Sequence, residues 1–255
     1  MIDHGSGIPI VLVPGIQGRW EWMQRAADAL ATQNRVTTNS LPSEPGSIAS
    51  INAKRGFGSF VDWLDQLLAR ANVDAVALCG VSCNGWIAVH YAATRPSTIL
   101  SLSLVSTPSP NWQPSSRIER YLRTPRLMAS VFAASSPFRL YPEVAVAFPS
   151  LRKRLRFAAE YLARAVTSPA TPARMAERMR LAPTQIVTGE TELGHVVPVD
   201  SSREYLTAIS GSKAVTIENT WHIGVATRPE HFAQVVSNYA RRTIGVHSRL
   251  KQALA

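Results

Sequence analysis

Ser82 stands in the stretch VALCGVSCNGWIAVHYAA, residues 76–93, where an apolar run ends at Gly80 and a helical pattern begins within a few residues of the serine. A strand, a very tight turn with a serine at its tip and then a helix are the sequence form of a nucleophile elbow. Such a turn strains the serine backbone so that its hydroxyl projects past the sheet edge, and the helix must then pass close to the strand. Gly80 and Gly85 supply that room. Asn84 stands where a glycine is usual, although Asn tolerates unusual backbone angles better than most residues.

A serine hydroxyl is a weak nucleophile until a base takes its proton. Of the six histidines, His222 is placed best: it lies in ENTWHIGVATRPEHF, a short loop after the last strand and before the terminal helix. The chain order serine, acid, histidine requires a carboxylate after the strand at 184–188, where the loop GETELGHVVPVD carries Glu190 and Glu192. A developing oxyanion needs backbone N–H donors. The Cys83 N–H, just after the serine, is one; Ile16 or Gln17, just after Pro14-Gly15, supplies the other.

Other polar residues nearby have plainer readings. Glu190 follows the strand's last glycine and reads as an acceptor for loop amides. Asp200 adjoins Ser201, which matches an S-x-x-E capping box with Glu204. His90 reads as a packed residue on the elbow helix and His195 as a loop residue. Cys83 reads as an oxyanion donor through its backbone with a buried side chain, not as a thiol nucleophile. Trp20 and Trp22 read mainly as helix-packing residues.

These groups must be delivered by an alternating series of elements. Ile8–Val13 is a β-branched run closed by Pro14-Gly15, hence a buried strand ending in a turn. Trp20–Ala31 has helical spacing, Arg35–Asn39 reads as a strand, and Leu41–Ser50 is a Pro-, Ser- and Gly-rich loop. Phe57–Ala71 is an amphipathic helix with Phe60, Val61, Leu64, Leu67 and Leu68 on one face. After the elbow come strands at Ile99–Ser106, Thr184–Thr188 and Ala214–Ile217, and a terminal helix from Pro229 to Arg242. Alternating strands and helices imply an α/β fold with a mainly parallel sheet covered on both faces. Residues 1–107 and 183–255 form its core. Residues 108–182, proline-rich and then mostly helical, read as a cap inserted between two strands.

Composition sets outer limits. The 255 residues, 45% of them hydrophobic, support a sizeable core in one domain of ordinary α/β size. The net charge of +10 is concentrated in the insertion, where residues 111–181 hold thirteen arginines and lysines against four glutamates. That surplus fits a solvated helical face or attraction of an anionic small molecule. No nucleic-acid motif or interleaved aromatic stripe accompanies it, so DNA or RNA binding is not expected. No run approaches the ~20 apolar residues of a membrane span. Cys79 and Cys83 flank one turn and do not form a disulfide framework, and the start MIDHGSGIP has no basic-then-apolar leader. A cytoplasmic protein with reduced thiols is the expectation; nothing fixes an oligomeric state.

Four segments together resemble the α/β-hydrolase family, and the likeness runs from Ile8 to about Arg242. VLVPGIQG resembles its oxyanion loop, with Pro14 where His is commoner. GVSCNG resembles its GxSxGG elbow, TGETELGHVVP its acid loop, and WHIGVATRPEHF its histidine segment, with Trp221 in place of a glycine. The resemblance implies a serine hydrolase acting on a carboxylic ester or related acyl compound. Ser82 would be nucleophile, His222 base, and Cys83 with Ile16 or Gln17 the oxyanion donors, with no metal or organic cofactor. Counting back from Val196-Val197-Pro198 puts the family's acid at Gly194, whereas counting forward from Gly189-Glu190 puts it at Glu192. Glu192 is taken as the acid. A group from elsewhere, or no acid at all in a non-catalytic binding protein of the same fold, is the alternative. Carbon–carbon bond hydrolysis, thioester cleavage and acyl transfer reuse the same serine and histidine.

Overall fold

The computed structural model describes residues 1–15, 18–52, 55, 58–109, 112, 182–190, 197–220, 222 and 224–253, with side chains as far as 245. The chain divides into two units, one of Met1–Ser109 with Pro172–Ala255 and the other of Pro110–Thr171. The described part of the first unit is set out below. The insertion expected at 108–182 lies almost wholly outside the described residues.

Seven strands form one sheet: β1 (Ile2–His4), β2 (Ile8–Val13), β3 (Asn34–Thr38), β4 (Val76–Val81), β5 (Ile99–Val105), β6 (Thr184–Thr188) and β7 (Lys213–Thr216). Their order is β1-β3-β2-β4-β5-β6-β7, so the elbow strand β4 is central. Every pairing is parallel except that of β1 with β3. The mainly parallel sheet is as expected, whereas the antiparallel edge strand β1 is too short and polar to announce itself by periodicity.

The β-branched and apolar residues of β2 and β4 alternate between two buried faces. Ile10, Leu12, Ala77, Cys79 and Val187 pack with Ala26, Ala27 and Leu30 of helix α1 (Gln24–Ala31). Phe232, Val236 and Ala240 of the terminal helix join that cluster. A 3₁₀ turn, Trp20–Met23, precedes α1, leaving Trp20 and Trp22 half-buried. Helix α2 (Gly58–Ala71) buries Phe60, Val61, Leu64, Leu67 and Leu68, the face its spacing predicts, and packs on α3 (Gly85–Thr94).

Several boundaries differ from expectation, among them the end of β5 at Val105 rather than Ser106. β3 starts and ends one residue early because Asn39 leaves the ladder to organise the following loop. Its Oδ1 accepts from the Ile48 N–H and the Trp63 indole, and its Nδ2 donates to the Gly46 carbonyl. β7 is likewise shifted by one residue. The terminal helix continues to Ala253, beyond the expected Arg242. Three short helices complete the described unit: α4 (Val199–Arg203), α5 (Tyr205–Ala208) and α6 (Gly224–Thr227), followed by the terminal helix α7 (Pro229–Ala253).

The glycines around the elbow leave little freedom. A Cβ at Gly80 would lie 2.7 Å from both the Ala88 Cβ and the Gly85 Cα, and a Cβ at Gly85 would run into the Thr107 side chain. Helix α3 therefore lies directly against its own strand. Neither obstacle at Gly80 is a flexible side-chain end, so Gly80→Ala should destabilise the fold by about 1–3 kcal/mol. Urea unfolding would show this as a lower midpoint at constant slope; an unchanged midpoint would refute the packing argument.

Candidate active site

Ser82 is the first residue after β4 and opens a single 3₁₀ turn, Ser82–Asn84, that leads into α3. Its φ is +55°, the left-handed region that an L-residue enters only when its surroundings compel it. The elbow read from the sequence is thus present, with its backbone strain at the serine itself. Ser82 is 7% exposed, and its Oγ lies 2.8 Å from Nε2 of His222, 140 residues away in the chain.

His222 reaches this position because the loops after β6 and β7 are fastened together. The Glu190 N–H donates to the Thr220 carbonyl at 2.9 Å, and Glu190 Oε1 accepts from the Asn219 N–H at 2.7 Å. Glu190 is therefore an acceptor for loop amides, as its place in the sequence suggests. Asn219 takes φ +54°, turning the chain back toward the serine. Thr220 closes the turn through Oγ1 to the Ile217 carbonyl, 2.7 Å, and α6 begins two residues after the histidine.

For His222 to accept the serine proton at Nε2, its own proton must sit on Nδ1. That Nδ1 is buried and has no hydrogen-bond partner among the described residues. Loss of water around the ring pushes its pKa down to about 4, so the ring is neutral at pH 7. Neutral imidazole is the form a general base needs. Glu192 lies outside the described residues, as do Ile16, Gln17, His195 and Trp221.

Asp200 is exposed in the first turn of α4. The capping box expected for Ser201 does not form. Ser201 sits inside α4 after the cap position Pro198, and its hydroxyl instead donates to Ser109 Oγ and accepts from the Ser109 N–H. Ser109 competes successfully because the loop after β5 is anchored there. The Trp86 indole and the Tyr205 hydroxyl both donate to the Pro108 carbonyl, at 2.7 and 3.0 Å.

Cys83 is half-buried, less covered than expected, and burial pushes its thiol up to about 11. It is thus protonated at neutral pH and a poor nucleophile. His90 is half-buried on α3, with its pKa lowered by burial. Among the described residues, no group of three or more His, Cys, Asp or Glu could hold a metal ion. One polar contact was not foreseen: the Asn84 side chain donates through Nδ2 to the Pro14 carbonyl at 2.9 Å. The signal for it was the bulky amide at an elbow position usually occupied by glycine.

A strained serine just past the central strand of a mainly parallel sheet, bonded to a histidine from the loop after β7, defines a recognisable class. The sequence profile of the alpha/beta hydrolase fold family matches residues 8–229, and the chain belongs to that family. Similar solved structures include a thermophilic esterase from Thermogutta terrifontis, 21% identical with a TM-score of 0.71, covering 95% of this chain and 92% of that one. A bacterial membrane phospholipase A is 22% identical at TM-score 0.72, covering 94% of this chain and 81% of its own. A structure from a study of carboxylesterases of Nitrososphaera gargenis is 16% identical at TM-score 0.67, covering 96% and 94%. No curated protein is a significant match. No helix among the described residues is long and apolar enough to cross a membrane.

The depressed His222 pKa has a consequence for stability. The folded-state value, about 4, lies below the 6.5 of the unfolded chain, so the unfolded state takes up the proton first as pH falls. The folded state loses stability between pH 6.5 and about 4, and above 6.5 this penalty is absent. In urea unfolding at pH 7.5 and 4.5, wild type should lose more stability across the interval than His222→Gln, which cannot titrate. Equal losses would show that the ring keeps an ordinary pKa.

Proposed function

We propose that this protein is a serine hydrolase cleaving a carboxylic ester or a related acyl compound. The 2.8 Å contact between Ser82 Oγ and His222 Nε2 at a left-handed elbow carries the reading. In this mechanism His222 takes the hydroxyl proton as Ser82 Oγ attacks the acyl carbon, and the carbonyl oxygen gathers negative charge between the N–H groups of Cys83 and of Ile16 or Gln17. The protonated imidazole then gives its proton to the departing alkoxide as the carbon–oxygen bond breaks, leaving an acyl-serine and a free alcohol. Water attacks the acyl-serine with His222 again as base, releasing the acid and restoring the serine.

Glu192 is our assignment for the third member, accepting from Nδ1 and stabilising the imidazolium. The serine–histidine machinery needs no metal or organic cofactor. Free Cys79 and Cys83 fit a cytoplasmic setting with reduced thiols. The esterase and carboxylesterase neighbours support an ester over other acyl substrates, while thioester cleavage, carbon–carbon hydrolysis and acyl transfer are variants of the same chemistry. We read residues 108–182 as the family's inserted cap, and their basic surplus as favouring an anionic ester.

One observation favours a second reading. Among the described residues the Nδ1 of His222 has no partner, as in a fold member that had lost its acid, and such a protein would bind small molecules without turning them over. A fluorophosphonate probe separates the two. The hydrolase reading expects covalent labelling of wild type that Ser82→Ala abolishes; folded wild type left unlabelled refutes it. For the third member, Glu192→Gln should lower turnover of p-nitrophenyl butyrate by up to about 10⁴-fold. Unchanged turnover removes Glu192 from the mechanism. For the basic segment, added salt should raise KM for a carboxylated aryl ester and leave a neutral one unaffected, because screening acts only on the charged substrate. Equal effects on both would discard the anionic preference.

A further inference from the structure

The elbow is pinned to the end of β2 by one side chain, that of Asn84. The ladder between β2 and β4 ends with Val13 opposite Gly80. Beyond that pair, the Asn84 Nδ2–Pro14 carbonyl bond, 2.9 Å, links the residue after Val13 to the elbow turn, four residues past Gly80. Pro14 begins the loop after β2, which is closed by the Gly18 N–H on the Gly15 carbonyl at 2.8 Å. The far end of that loop is tied down by the Leu41 N–H on the Gly18 carbonyl at 2.7 Å.

Two simpler reasons for an asparagine at this position fail. Asn84 has φ −81° and ψ −2°, a conformation open to any residue, so its tolerance of left-handed angles is not used. It also occupies the N-cap of α3, where an Asn side chain commonly bonds a backbone N–H of the first turn, yet it makes no such bond. The amide forgoes the cap and turns to Pro14 instead. Of the elbow's side chains, this one alone among the described residues donates to the β2 loop.

We infer that Asn84 is a positioning residue for the reaction: its amide fixes the elbow, with Ser82 and the Cys83 N–H, against the start of the loop after β2. The inference rests on the serine-hydrolase reading. An oxyanion forms only if donors from the two strand ends converge on one point, and a misplacement of about 1 Å can cost about 10²-fold in rate. The contact is not made to the substrate, so ground-state binding is left alone. Loss of the contact therefore falls on the transition state and appears in kcat.

The test uses the full chain, with active sites counted by fluorophosphonate labelling so that any unfolded fraction is excluded. Asn84→Asp keeps the shape but places a carboxylate oxygen against a carbonyl oxygen; Asn84→Gly restores the small residue usual there and removes the tether. Both should label at Ser82 yet hydrolyse p-nitrophenyl butyrate with kcat about 10- to 100-fold lower, and KM should change by no more than about twofold. Affinity for an alkyl trifluoromethyl ketone, which forms a tetrahedral oxyanion adduct on the serine, should fall by the same factor as kcat. The inference is overturned if either labelled variant keeps wild-type kcat, or if ketone affinity is unchanged while only the melting temperature or KM moves. Wild type that neither labels nor turns over removes the hydrolase reading itself, and this inference with it.

Discussion

The left-handed backbone at Ser82 is the constraint from which the rest of the unit follows. A non-glycine residue at φ +55° costs of order 1–3 kcal/mol and persists only where its surroundings over-determine it. Here both sides are fixed. β4 is the central strand, hydrogen-bonded along both edges, so the chain cannot relax backward into it. Forward, α3 is held against that strand by the absent side chains of Gly80 and Gly85, with Ala88 and Thr107 occupying the space they leave. The neighbouring strand does the same: Ser106, one residue past β5 and beside the elbow in register, has φ +47°. Two adjacent strands thus end in left-handed serines at the carboxyl edge, where ligands of such sheets bind.

The histidine half is held by different means. It does not lie on a regular element but on a loop whose geometry is set by Glu190, Asn219 and Thr220. Glu190, the first carboxylate after β6, accepts from the Asn219 N–H, and with it the loop after β6 becomes part of the histidine's support. The ring is thereby placed within hydrogen-bond distance of the serine and kept neutral by burial, the form that the proposed first proton transfer needs. The same burial disfavours an imidazolium, and that is the reason the proposed mechanism calls for a carboxylate behind Nδ1. Serine geometry and histidine charge are separable problems in this site, solved by different parts of the chain.

Much of this was legible in the sequence. The bounds of Ile8–Val13 and Thr184–Thr188 are legible because β-branched runs buried on both faces end at proline or glycine. The buried face of α2 followed from its spacing. What local pattern could not supply were choices between competing partners. Ser201 and Glu204 have the spacing of a capping box, yet the serine hydroxyl faces Ser109, 92 residues away, and goes there. Asn39 reads as a strand end until Ile48 and Trp63 claim its carbonyl oxygen. In each case a polar side chain near an element terminus had a local option and a distant one, and tertiary proximity decided.

Asn84 belongs to the same group and has the largest consequence. The family pattern of small residues around a nucleophile describes what must be absent for the helix to approach the strand, and Gly80 and Gly85 meet that need. Asn84 faces the other way, toward β2, where bulk is tolerated and a donor is useful. A departure from a motif is therefore informative about direction: it shows which positions of the motif are set by steric exclusion and which are free to acquire a bond. In a sheet, strand ends just past the last ladder pair have no backbone bond to keep them in register, although the reacting atoms are assembled there. A side chain that supplies the missing bond extends the rigidity of the sheet to the residues that use it.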